Sequence, residues 1–210
     1  MSTPPTHRNP WPRRLGIALA ILAAGALIVW LSPAEQTLGA AVKTVYVHVA
    51  LSRAGALLVF GAGLLGLAVL ITDRPALLRV STALGVSGLG LYTAGFLVSL
   101  IAQISAWGGI AWREPRVAAA LNGLAFGALA LIAVWWLPWR RARGAVWTAL
   151  AALLGWMQVR ASSILHPGAA ISGSDSPAIR LAGFALLALA LVAGAWLSAE
   201  IGARPPHPDS

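Results

Sequence analysis

Apolar runs and short polar breaks alternate along the whole chain. Residues 15–31, 45–72, 80–105, 117–137, 145–165 and 181–201 are apolar with few charges. At a helical rise of about 1.5 Å per residue, the last five are long enough to cross a hydrocarbon core of about 30 Å. The first is near the lower limit of about 17 residues. It is long for the core of a cleaved signal peptide, and no small-x-small cleavage site follows it directly, so an uncleaved span is expected. Pro33 stops that run, since proline cannot continue a helix hydrogen-bond ladder. The pattern predicts an all-α polytopic membrane protein: six transmembrane helices in one bundle over residues 15–201. Polar, Pro-containing tails at 1–14 and 202–210 are expected to be disordered. Small residues in the third run (Gly85, Ser87, Gly88, Gly90) and in the fourth (Gly123, Gly127) allow close helix approach where lipid supplies no hydrophobic drive.

Composition strengthens this reading. The chain of 210 residues is 59% hydrophobic and 10% charged, where soluble domains carry about a quarter charged residues. It holds no cysteine, which excludes disulfides, thiolate metal sites and thiol redox chemistry. The net charge of +9 sits mostly in the breaks and tails, so it reads as topology signal and lipid-headgroup contact and not as a nucleic-acid surface. One set of segments holds Arg8, Arg13, Arg14, Arg74, Arg79, Arg140, Arg141, Arg143 and Arg204. The opposite set holds Lys43, Arg113, Arg116 and Arg180, offset by Glu35, Glu114 and Asp175. The basic excess predicts that both termini are cytoplasmic in a cell (inner or plasma) membrane.

Span parity then brings three features to the outer surface: His48 at the start of the second run, the polar and aromatic break at 107–116, and His166 after the fifth run. The chain has no nucleotide-binding glycine loop with its lysine and no HExxH pair, and its acidic residues are single, so no enzyme chemistry is expected. Two outer imidazoles on different helices could ligate iron from both faces of a macrocycle. Arg53, Arg113, Arg116, Arg160 and Arg180 could pair with its carboxylates. Arg53 and Arg160 stand out because each falls inside an apolar run, where charge is costly and often functional. Simpler roles compete with these. A histidine at a span boundary can be an ordinary interfacial residue. Trp11, Trp30, Trp135, Trp136, Trp139, Trp147 and Trp196 fit an aromatic belt. Gln103 and Asn122 fit interhelical hydrogen bonds.

The residues Trp107 and Gly108, then Glu114, Pro115 and Arg116, with Tyr46, Val47, His48 and Val49 before them and Ile164, Leu165 and His166 after, follow a recognisable order. In this the chain resembles the CcmC/CcsA family of cytochrome c assembly proteins, and its short length favours the CcmC type. The resemblance covers roughly residues 15–200. It implies that His48 and His166 are axial ligands to haem iron. It also implies that Trp107, Gly108, Trp112, Glu114 and Arg116 form a haem platform, with Arg113, Arg53 and Arg160 near the propionates. The cargo would be haem b, transiently bound and presented at the outer face to a periplasmic or outer-face haem chaperone, with ABC-type or other assembly subunits as partners. The sequence departs from the family loop at Ile110 and Ala111, where aromatics are usual, and at Arg113, which replaces a tryptophan. A cofactor-free permease-like protein and a structural subunit of a membrane transport complex are the alternatives.

Overall fold

A computed structural model describes residues 11–162, 164–165 and 171–203. It is an all-helical bundle: α1 (Trp11–Leu31), α2 (Val42–Thr72), α3 (Pro75–Trp107), α4 (Pro115–Trp136), α5 (Arg140–Arg160) and α6 (Pro177–Gly202). Five of the six are long and apolar enough to cross a membrane; α5 is the exception. It begins with Arg140, Arg141 and Arg143 and ends with Gln158 and Arg160, which dilute its apolar stretch.

Local chemistry sets the boundaries. Asp73 ends α2 in the left-handed region (φ 51°), its N–H returning to the Val69 carbonyl at 2.8 Å. Proline opens α3, α4 and α6 (Pro75, Pro115, Pro177), where its fixed φ suits the first helical turn and its missing N–H leaves nothing unsatisfied. Trp11–Arg14, assigned to the polar tail from sequence, form the first turn of α1. The fifth helix runs over 140–160, not 145–165, so Arg160 is its terminal residue and not a charge inside a span. A cation there faces the negative end of the helix dipole.

The hairpin of α2 and α3 is the axis of the bundle. At about 1.5 Å per residue these helices are roughly 46 and 50 Å long, well beyond the hydrocarbon thickness. They touch backbone to backbone at Gly55 and Gly88: a Cβ on either would lie within 2.7–2.8 Å of the other's carbonyl oxygen. A second such contact joins α2 to α5, where a Cβ on Gly66 would meet the Gly144 carbonyl at 2.5 Å. Beside it Trp147 is fully buried (0% exposed), its ring against Gly85 and its Nε1–H donating to Thr82 Oγ1 at 3.2 Å. Trp147 therefore belongs to the core and not to an aromatic belt. Around it pack Val59, Leu89, Leu150 and Leu154. A second apolar cluster joins Val42, Tyr46 and Ala50 of α2 to Leu91, Ile171, Ile179 and Leu186. α1 buries no residue of its own and lies along α6, where Arg14 pairs with Glu200 at 2.7 Å.

Candidate functional site

Because α2 and α3 are antiparallel, the start of one lies beside the end of the other, with Thr44 Oγ1 and Ser105 Oγ 3.5 Å apart. The start of α4 and the segment following α5 join them there, linked through Glu114. This end of the bundle holds a cavity of about 670 Å³, well inside the range of about 300–1,000 Å³ typical of small-molecule sites. α2 contributes Val42, Val45 and His48; α3 contributes Ser99, Ala102, Gln103, Ala106 and Trp107. The α3 positions follow helical spacing, so they share one face. Most of them are small, and that face leaves room instead of filling it. Glu35, Thr37 and Leu38 of the α1–α2 loop and Leu165, Gly173, Ser174 and Asp175 of the α5–α6 segment complete the walls.

His48 is fixed by the helix beside it. Its Nδ1 lies 2.9 Å from the Gly95 carbonyl oxygen and 3.3 Å from Ser52 Oγ. A carbonyl can only accept, so Nδ1 carries the proton and Nε2 is the basic nitrogen of the neutral ring. The contact depends on Gly95, where a Cβ would press on Ser52 and lie 2.7 Å from its backbone nitrogen. An imidazole whose Nδ1–H is held by a backbone carbonyl is the usual arrangement of a metal-ligating histidine.

The break after α3 is tied down at both ends. Gly108 caps α3 in the left-handed region (φ 73°), its N–H on the Ile104 carbonyl at 3.0 Å, a conformation that glycine adopts without strain. The Ala111 N–H donates to Gln103 Oε1 at 3.0 Å. Gln103 therefore does not bridge helices, as its place in an apolar run suggested. It pins its own loop. At the far end Glu114 is 2% exposed; its Oε1 accepts from the Ile164 N–H at 3.1 Å and its Oε2 from the Leu165 N–H at 2.9 Å. Its carboxylate thus fastens the α3–α4 loop to the chain one residue before His166. His166 itself lies outside the described residues.

Of the residues singled out in the sequence, His48 and Trp107 line the cavity. Gly108, Trp112, Arg113, Glu114, Arg116, Arg53 and Arg160 do not. Trp112 and Arg113 are exposed on the loop, and Arg116 is partly buried with no partner for Nε among the described residues. Arg53 lines a separate narrow cleft with Arg180, beside Ile171 and Phe184. Among the described residues the charges on the cavity wall are carboxylates, Glu35 and Asp175. Glu35 Oε2 accepts from the Thr37 and Leu38 N–H groups, both at 2.8 Å, and the Leu38 bond foremost holds its carboxyl below the usual range. The chain's single lysine, Lys43, donates to the Trp30 carbonyl at 2.9 Å.

Sequence reasoning gave Gln103 an interhelical bond and Glu35 and Asp175 only a place in the charge balance, yet all three line the cavity. Gln103 had one available signal: it precedes Trp107 by one helical turn and so shares its face. Compared with models of protein families and with curated protein sequences, the chain matches none.

Proposed function

We propose that this cavity receives haem as cargo at the outer face of a cell membrane and presents it to an assembly partner in cytochrome c maturation. The carrying observation is His48: a cavity-wall imidazole whose proton is committed to the Gly95 carbonyl, giving Nε2 the basicity that an axial ligand to iron requires. The cavity's volume suits a macrocycle, and Trp107 with Val42, Val45 and Leu165 offers it an apolar surround. In this reading His166, following the anchored Leu165, is the second axial ligand. α5 spans with the other five helices, supported by its length of 21 residues and its packing against α2. Both termini are cytoplasmic, on the side of Arg140, Arg141 and Arg143. Exchange of one imidazole for a ligand on an outer-face chaperone would release the cargo, and an ABC-type partner would supply energy. The chain itself performs no bond chemistry.

One observation favours a second reading. The described wall carries two carboxylates and no lysine or arginine, which suits an uncharged or cationic molecule passing through a cofactor-free permease-like subunit. Absorbance of protein purified from a haem-replete host decides between them. The haem reading expects a Soret band that weakens in His48→Ala and in His166→Ala. Colourless protein that also fails to bind added haem would leave the permease reading standing.

A further inference from the structure

Gln103 is 3% exposed, lines the cavity, and has its Nε2 buried with no hydrogen-bond partner among the described residues. The orientation of the amide is not arbitrary. The Ala111 N–H needs an acceptor, so the oxygen faces the loop and the NH2 group faces elsewhere. A desolvated amide donor without an acceptor is destabilising, and native proteins keep few of them. Ser99 Oγ, the buried hydroxyl on the wall, donates to the Phe96 carbonyl at 2.6 Å and does not accept from Gln103 Nε2. Glu35, whose Oε2 takes the Thr37 and Leu38 N–H groups, does not accept from it either.

We infer that Gln103 is a ligand-reading residue: its Nε2 donates to a carboxylate oxygen of the molecule in the cavity while its Oε1 holds the loop that carries Trp112 and Arg113. The inference rests on the haem reading, in which that oxygen belongs to a propionate. It places a neutral amide where the sequence pointed to arginines. A planar amide between ligand and loop also joins them mechanically, because turning it to lose one partner loses the other. Filling the cavity therefore slows hydrogen exchange at the Ala111 amide.

The test is a titration of the purified full-length protein with haem and with haem dimethyl ester, followed by the Soret band and tryptophan quenching. Wild type is expected to bind free-acid haem about tenfold or more tighter than the ester, as a charge-assisted hydrogen bond would give. Gln103→Glu keeps an acceptor for Ala111 but replaces the donor with a carboxylate. Burial disfavours the ionised carboxyl at this position and a protonated carboxyl still donates, so the titration is repeated at rising pH. Once the new carboxyl ionises, the variant is expected to lose that preference and to bind the ester nearly as wild type does. If His48→Ala abolishes the Soret band while Gln103→Glu binds haem as tightly as wild type, Gln103 only anchors the loop and the inference fails with the haem reading intact. Equal affinity of wild type for acid and ester overturns it without any variant. No Soret band in wild type removes the haem reading and this inference together.

Discussion

The two ends of the α2–α3 hairpin are built on opposite rules. At the end near Asp73, helices meet through glycine: Gly66 lies against Gly144, and Gly85 makes space for the indole of Trp147. The ion pair there lies at the surface, with Arg140 bonded to both oxygens of Asp73 at 3.1 and 3.3 Å. At the other end small residues on α3, namely Ser99, Ala102 and Ala106, face space. Polar groups there are buried and committed to backbone: His48 to Gly95, Gln103 to Ala111, Glu114 to Ile164 and Leu165. Small residues thus have two uses in one helix. Where a neighbouring backbone closes in they make a rigid seam, and where none does they make a cavity. Tight packing is concentrated at the first end, and the binding proposed above falls at the second.

If that division holds, Trp147→Ala should give the largest change of any single substitution. It empties a fully buried indole site and removes the bond to Thr82, for a loss of about 3–4 kcal/mol. Thermal unfolding in detergent would read this as a large drop in midpoint. The folded fraction should still bind haem with wild-type affinity, and a matching loss of affinity would break the comparison. Gly95→Ala comes next. Its Cβ would lie 2.7 Å from the Ser52 nitrogen, so α2 and α3 must part where His48 is held. Overpacking of this kind costs about 1–3 kcal/mol, and the displaced imidazole should shift or weaken the Soret band. Gly90→Ala, where a Cβ meets nothing within 4 Å, is the control and should do neither.

The helices were legible in the sequence because apolar length is nearly all that membrane crossing demands. The fifth was misplaced by five residues for a physical reason. Its arginines read as a linker, yet Pro138 and the extended Trp139 already start the helix, and apolar Ile164 and Leu165 follow its end. Trp147 was not legible as core, since a tryptophan near a span end has the same composition signal whether it faces lipid or a glycine on another helix. The site was half legible. His48 and Trp107 were found by parity, which fixes the end of the bundle each occupies. Parity says nothing of which way a side chain turns, and so the arginines were assigned to a cavity whose described wall they do not enter.

Glu114 sharpens the comparison from the binding end. Its two oxygens each take one backbone N–H, a division that an amide cannot reproduce, because one of its two groups is a donor. Glu114→Gln therefore leaves one of the Ile164 and Leu165 N–H groups opposite another donor, at a local cost of about 1–3 kcal/mol. Exchange at those two amides should speed up about tenfold or more, while the protection of α2 near Gly66 stays as in wild type. Loss of protection at both ends would mean that Glu114 supports the whole bundle and not only the loop.

The smallest expected effect is a pH response of the α1–α2 loop. Leu38 and Thr37 N–H groups favour the ionised Glu35 carboxylate, so its pKa in the folded protein lies below the ordinary value of 4.5. A depressed carboxyl contributes stability above its unfolded pKa and loses that contribution as pH falls through the folded value. Between neutral pH and about pH 5 the turn should thus be unchanged, and it should loosen only below the ordinary carboxyl range. The group is open to solvent, so the response stays local. The Leu38 amide shift, followed by NMR as pH is lowered, measures it directly. Both N–H groups bond the same oxygen, so Glu35→Gln keeps a carbonyl oxygen that can accept from both, and it should flatten the titration without moving the unfolding midpoint. A Leu38 titration centred above 4.5 would reverse the sign and show that the carboxylate is destabilised where it lines the cavity.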